Sequence, residues 1–123
     1  DEEDIRIAMQ AARQLAQLDI GQTVVVKHKV IVAVEALEGT DAAIQRAHQL
    51  AGRDLVVVKM ASPNQDMRFD LPVLGPQTLS IAIASGVRCV AVEAQKTLLL
   101  DQEVLIARAN EARLCLVGIS VSA

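Results

Sequence analysis

Aromatic side chains are almost missing from this chain. Among 123 residues only Phe69 is aromatic, and there is no Trp or Tyr. Proteins that bind single-stranded nucleic acid stack bases on aromatic rings, and duplex binders present basic faces. Here 12 basic residues face 15 acidic ones for a net charge of −3, with no basic block, so no nucleic-acid partner is expected. The same lack excludes a Tyr-rich recognition surface. Cysteine is scarce as well: Cys89 and Cys115 form no Cys-x-x-Cys pair. Both fall in apolar runs, where a free cysteine behaves as a small buried hydrophobe, and their scarcity fits a reducing compartment. No apolar run approaches the roughly 20 residues of a membrane span, and no signal peptide pattern is present, so the expected location is cytoplasmic. The chain begins with Asp1 rather than Met, so a fragment, or a start that is processed or disordered, is expected.

What is present is periodic. The length suits one domain with a real core. Asp1–Asp4 crowd acids where a helix macrodipole favours them, and Ile5, Ala8, Met9, Ala12, Leu15 and Ala16 follow at helical spacing. Thr23–Val26 and Val30–Val34 are β-branched runs around Lys27-His28-Lys29, which predicts a hairpin with His28 solvated at its tip. Thr40 reads as the N-cap of a helix whose apolar face is Ala43, Ile44, Ala47 and Leu50, with His48 exposed and Gly52 at its end. Leu55–Val58 is a continuous apolar strand, as expected when both sheet faces are covered. Gly75-Pro76 opens a helix that Gly86 stops. Strand Val87–Val92, a short apolar piece Thr97–Leu100, a helix over Asp101–Glu111 capped by Asp101, and strand Leu114–Ile119 complete the chain. This alternation predicts an α/β fold: a mainly parallel or mixed sheet with helices on its faces and one β-hairpin near the N-terminus.

The segment from Lys59 to about Gly75 is longer than the two to six residues a tight connector needs. It follows an apolar strand, and in parallel α/β folds ligands sit outside the carboxyl ends of strands. It carries Lys59, Gln65, Asp66, Arg68 and Asp70. Carboxylates hold hard divalent cations, while Arg68 and Lys59 can hold phosphate oxygens. Helix starts at Thr40 and Gln77 offer backbone N–H groups to anions. These suit a phosphorylated ligand. A solvated loop whose Asp-x-Arg-x-Asp charges pair with one another is the competing reading. An internal echo, Val32-Ala33-Val34-Glu35-Ala36 and Val90-Ala91-Val92-Glu93-Ala94, ends each of two strands on a carboxylate, so Glu35 and Glu93 share one rim if the strands run the same way. No P-loop, Gly-x-Gly-x-x-Gly or Ser–His–Asp set is present.

In order along the chain, Val34-Glu35-Ala36, Glu38-Gly39-Thr40-Asp41, Val58-Lys59, Pro63-x-Gln65-Asp66-x-Arg68-x-Asp70-Leu71-Pro72-x-x-Gly75-x-x-Thr78, Ala91-Val92-Glu93-Ala94 and Leu116-Val117-Gly118 resemble the carboxy-terminal domain of the LpxI-type UDP-2,3-diacylglucosamine pyrophosphatases. The resemblance implies a cytoplasmic, divalent-cation-dependent hydrolase of lipid A synthesis. It cleaves the pyrophosphate of UDP-2,3-diacylglucosamine to 2,3-diacylglucosamine 1-phosphate (lipid X) and UMP. It implies that residues 1–123 form the catalytic half of a two-domain enzyme, inactive without an amino-terminal domain that encloses the substrate. The implied catalytic residues are Asp66 first, then Asp70 and Arg68. Those implied to bind substrate are Lys59, Gln65, Glu38, Gly39, Thr40, Asp41 and Thr78, with Mg²⁺ or Mn²⁺ on Asp66 and Asp70. Gln95 departs from the Gly expected after Glu-Ala. The alternatives are a non-catalytic nucleotide- or sugar-phosphate-binding regulatory module and a structural dimerisation domain. Sequence leaves open whether the domain is a homodimer and whether it rests peripherally on the inner membrane.

Overall fold

Valine runs make the strands of this protein, and alanine stripes let its helices lie close on them. A computed structural model describes residues 2–61, 73–94, 98–99 and 101–119. Its elements are α1 (Glu2–Gln17), β1 (Thr23–Lys27), β2 (Val30–Val34), α2 (Thr40–Ala51), β3 (Leu55–Lys59), β4 (Val73–Leu74), α3 (Pro76–Ala84), β5 (Val87–Glu93), β6 (Leu98–Leu99), α4 (Gln102–Ala112) and β7 (Cys115–Ile119). Five strands form one sheet in the order β2-β1-β3-β5-β7, and β4 pairs β6 in a small parallel second sheet. β1 is antiparallel to both neighbours, while β3, β5 and β7 are parallel. β2 therefore runs the same way as β3, β5 and β7. The expected α/β fold with a mixed sheet and an early hairpin is what forms.

Among the described residues, one face carries α1 alone. Ala8, Ala12 and Ala16 are buried at four-residue spacing, so no long side chain holds the helix off the sheet. Ala8 and Ala12 meet Val24, Val26, Val58, Met60 and Ala91. The other face carries α2, α3 and α4, whose Ile44, Ala47, Leu79, Ala82, Leu105 and Ala109 cover Val25, Leu55, Val57, Val90 and Val92. Covered on both sides, β3 is buried from Leu55 to Val58.

Several local expectations change. Leu50 is 64 % exposed rather than part of the α2 face. The buried row steps four residues from Ala47 to Ala51, which packs on the core instead. The N-cap of α2 is Gly39, at φ 91°, and Thr40 is the first helical residue; the Thr40 hydroxyl is drawn to other partners described below. Asp101 occupies the N-cap of α4 but sits in the left-handed region and makes no side-chain cap bond. His48 is half-buried, with Nδ1 3.2 Å from the Gly52 carbonyl oxygen. Pro76 at the first position of α3 and Gly52 at the end of α2 are as expected.

The hairpin turn lacks Gly and Asn, yet His28 and Lys29 both adopt positive φ, 48° and 70°, as a two-residue hairpin turn demands. Asp4 helps to hold them there. Its side chain is 7 % exposed; the carboxylate accepts the Lys29 backbone N–H at 2.7 Å and receives Arg88 Nη2 at 2.9 Å. A residue read as a macrodipole acid thus ties α1, the hairpin and β5 together at the end of the sheet where β5 starts.

Candidate functional site

Strand direction decides where the polar groups gather. β2, β3 and β5 end on the same rim, and there the chain places Glu35, Lys59 and Glu93. α2 and α3, packed side by side, both begin at this rim. The two halves of the sequence echo part here. Val34 packs on the α1 side, so Glu35 faces α2. Val92 packs on the α2–α4 side, so Glu93 faces the α1 side, where it is 7 % exposed and accepts the Ala61 N–H at 3.0 Å. The carboxylates share a rim but leave the sheet on opposite faces.

Around Glu35 a connected set forms on the α2 face. Its Oε1 accepts the Gln22 backbone N–H at 2.8 Å, and its Oε2 receives the Thr40 hydroxyl at 3.4 Å. The buried Thr23 hydroxyl lies 2.9 Å from that of Thr40. With Thr40 donating to Glu35, Thr23 is left to donate to Thr40. Thr23 is the β1 residue opposite Lys59. Gly21 is pressed on this knot: a Cβ there would lie 2.0 Å from the Glu35 carbonyl oxygen. Next to it, Thr78 Oγ1 donates to Asp41 Oδ1 at 2.6 Å, latching the first turn of α3 to that of α2.

Lys59 sits within this set. Burial pushes its ammonium below the ordinary lysine value, against the pull of the Glu35 and Asp41 carboxylates, which favour the proton. Neither α2 nor α3 carries a side-chain cap, because Gly39 and Gly75 hold the cap positions. Backbone N–H groups of two helix starts and one half-buried cation therefore meet at one rim, a combination suited to an anion such as a phosphate. Glu38 stands apart. Arg46 grips its carboxylate through Nε at 3.2 Å and through Nη2, and Nη2 also donates to the Val34 carbonyl at 2.9 Å. The hydrogen bond to Arg46 holds the Glu38 carboxyl below its ordinary range. Glu38 thus braces the β2–α2 loop, beside Gly39, whose missing side chain would meet nothing within 4 Å.

Of the residues singled out from sequence, Lys59, Thr40, Asp41 and Thr78 come together, with Gly39 and Glu38 on the adjoining loop. Gln65, Asp66, Arg68 and Asp70 lie outside the described residues, in the sequence that follows Ala61. Among the described residues, no group of three or more His, Cys, Asp or Glu could hold a metal ion. Glu35 and Glu93 are on opposite faces, and Glu35 and Asp41 already act on Lys59 and the two threonines. The described residues alone do not fit Mg²⁺ or Mn²⁺; a cation would have to draw on Asp66 and Asp70. Thr23 was missed by sequence reading, since a Thr opening a valine strand looks like β-propensity alone. Glu35 was read as a strand-end carboxylate sharing a rim with Glu93, rather than as a partner of Thr40 and Gln22.

A family model described as the LpxI C-terminal domain matches residues 1–117. The UDP-2,3-diacylglucosamine pyrophosphatase LpxI of Caulobacter vibrioides is 39 % identical over 124 residues, covering 94 % of this chain and 44 % of that protein. The chain therefore spans less than half the length of this relative. Among solved structures, a dCMP deaminase from the cyanophage S-TIM5 is similar at a TM-score of 0.60, with 14 % identity over 97 % of this chain and 99 % of that one. RibD of Acinetobacter baumannii is similar at 0.55, with 16 % identity over 96 % of this chain and 36 % of that one. Zinc deaminases are marked by His-x-Glu and Pro-Cys-x-x-Cys, and neither motif occurs in this sequence, so the likeness is one of fold. The family match over residues 1–117 and 39 % identity along 94 % of the chain place this protein in the LpxI family, of which it carries the C-terminal domain.

Proposed function

We propose that the polypeptide carrying this domain hydrolyses the pyrophosphate of UDP-2,3-diacylglucosamine to 2,3-diacylglucosamine 1-phosphate and UMP. The observation that carries this reading is the 39 % identity to a UDP-2,3-diacylglucosamine pyrophosphatase along 94 % of the chain. The rim supports it. The Lys59 ammonium and the N–H groups opening α2 and α3 gather pyrophosphate oxygens and balance the charge that builds on them. Asp66, from the segment following Lys59, takes a proton from the attacking water. The water oxygen bonds to one phosphorus, the bridging P–O bond breaks, and the bridging oxygen leaves on the other phosphate. The Glu35–Thr40–Thr23 set and the Thr78–Asp41 latch hold the cation and the two helix starts in register, a positioning role. A divalent cation on Asp66 and Asp70 is part of this proposal, as is a second domain that encloses the substrate.

The test is Asp66→Ala in the complete polypeptide, assayed by UMP release. Turnover should fall at least about a hundredfold, the low end for losing general acid–base catalysis, with the unfolding transition unmoved. Activity within threefold of the parent would remove Asp66 from the mechanism. Unchanged nucleotide binding with no turnover in the parent would favour a binding module. Chelator should abolish activity and Mg²⁺ or Mn²⁺ restore it; activity that persists in chelator leaves Lys59 and Arg68 as the electrophiles.

A further inference from the structure

Cys89 and Cys115 stand directly opposite one another on the parallel strands β5 and β7. Residues paired in this way project from the same face of a sheet. Here it is the α1 face: Ala91, two residues beyond Cys89, joins the α1 cluster, and Val117 and Ile119, two and four beyond Cys115, pack on it. Among the described residues, α1 lies over β1 and β3, so its cover thins toward β7. Cys89 is 1 % exposed, while Cys115 is exposed on edge strand β7. Neighbouring strands lie about 4.8 Å apart, inside the roughly 4.4–6.8 Å Cα separation that a disulfide bridges. Burial, and then the neighbouring Cys115, push the Cys89 thiol up to about 12, so Cys89 keeps its proton.

We infer that Cys89 and Cys115 are a reversible redox pair, closing a disulfide between β5 and the edge strand β7, with Cys115 as the thiol that reacts first. The oxidant is a small disulfide of the glutathione class. The Cys115 thiolate attacks one sulfur of that disulfide. The S–S bond breaks, one glutathione thiolate leaves and takes up a proton, and glutathione stays on Cys115. Cys89 then gives its proton to solvent and attacks the Cys115 sulfur, expelling the second glutathione as a thiolate that is protonated in turn. Two protein thiols are oxidised and one small disulfide is reduced to two thiols. Closure is the slow step, since Cys89 must first ionise; below pH 12 its thiolate fraction rises about tenfold per pH unit. Disulfide geometry wants Cβ atoms nearer than directly paired strands hold them, at about 3.5–4.5 Å. The bond therefore draws β7 inward, and strained, accessible disulfides are the easily reduced ones.

The complete polypeptide, exposed to oxidised glutathione and digested by trypsin without reduction, tests this directly. Cleavage after Arg88, Lys96 and Arg113 separates the two cysteines. The expected product is the peptide Cys89–Lys96 joined to the peptide that starts at Leu114, forming faster as pH rises and lost again in excess reduced glutathione. In Cys89→Ser, glutathione should remain on Cys115; in Cys115→Ser, Cys89 should stay unmodified. Three outcomes would overturn the inference: glutathione that stays on Cys115 of the unaltered protein at every pH, a Cys115–Cys115 link between two chains, or modification of Cys89 in Cys115→Ser. The unaltered protein decides the matter even if a variant fails to fold.

Discussion

The two ends of the sheet hold their charges differently. At the end where β5 starts, Asp4 is matched group for group: one carboxylate oxygen takes the Lys29 N–H and the other takes Arg88. Glu3 adds Lys29 Nζ at 3.0 Å. At the end where β3 finishes, Glu35 and Asp41 are also bonded, but the cation they attend is kept uncomfortable by burial, and two helix starts without side-chain caps flank it. The first cluster reads as structure, because its charge is balanced within the protein. The second reads as a candidate place for a ligand, because two helix starts without side-chain caps meet a half-buried lysine at one rim. A charge cluster is informative less for its size than for whether its electrostatics are improved by something arriving.

Breaking the first cluster should have the largest effect on stability. Asp4→Ala removes two bonds from a buried carboxylate and leaves Arg88, about a third exposed, without its counter-charge. A cost of about 2–4 kcal/mol is expected, read as a fall in denaturant midpoint. Turnover per folded molecule should be unchanged; a loss of turnover beyond the loss of folded protein would erase the contrast between the two ends.

Lys59→Met should do the reverse. Turnover should drop tenfold or more, a barrier increase of about 1.4 kcal/mol, while Tm holds or rises. The pH dependence follows from the lowered value of Lys59. Between that value and the ordinary 10.5, the unfolded chain binds a proton that the folded chain does not, so Lys59 makes stability rise with pH through that window. Over the same window kcat/KM should fall as the ammonium is lost. Lys59→Arg, which stays charged, should push that alkaline limb upward. A limb that does not move in Lys59→Arg assigns it to another group.

The smallest change sharpens the picture. Thr78→Val removes the donor to Asp41 at nearly constant volume and should cost about 1 kcal/mol, read from chemical unfolding. Asp41, no longer satisfied by Thr78, should hold the Lys59 proton more firmly, shifting the alkaline limb to higher pH. A shift the other way would show that Asp41 does not act on Lys59.

Much of the fold could be read in advance because strand and helix periods are clean. Leu55–Val58 announced a strand covered on both faces, and Gly75-Pro76 announced a helix start. The same reading put Thr40 at a cap and Leu50 in the core. Both depended on tertiary context: the Thr40 hydroxyl is taken by Glu35 and Thr23 from the sheet beneath α2, and the α2 face advances by four residues at its end. For the candidate site, Lys59 was visible as a polar residue at a predicted strand end and Thr40 and Asp41 at a predicted helix start, while Thr78 came only from the family resemblance. The Thr23 role was not, because register, rather than composition, sets it opposite Lys59. Nor could the sequence echo say that Glu35 and Glu93 leave on opposite faces, since that depends on which side of the sheet their preceding valines pack.

A core built from Val, Ala, Leu and Ile also makes this domain optically quiet. With no Trp or Tyr, its unfolding gives no native fluorescence signal, and backbone dichroism or methyl resonances must report instead. That silence is an opportunity for labelling. Leu37 is 102 % exposed, two residues from Glu35 and just before the start of α2, so Leu37→Trp would place a lone fluorophore at the lip of the site without disturbing the interior. Any change in its emission on adding nucleotide would arise from that rim, with no background to subtract.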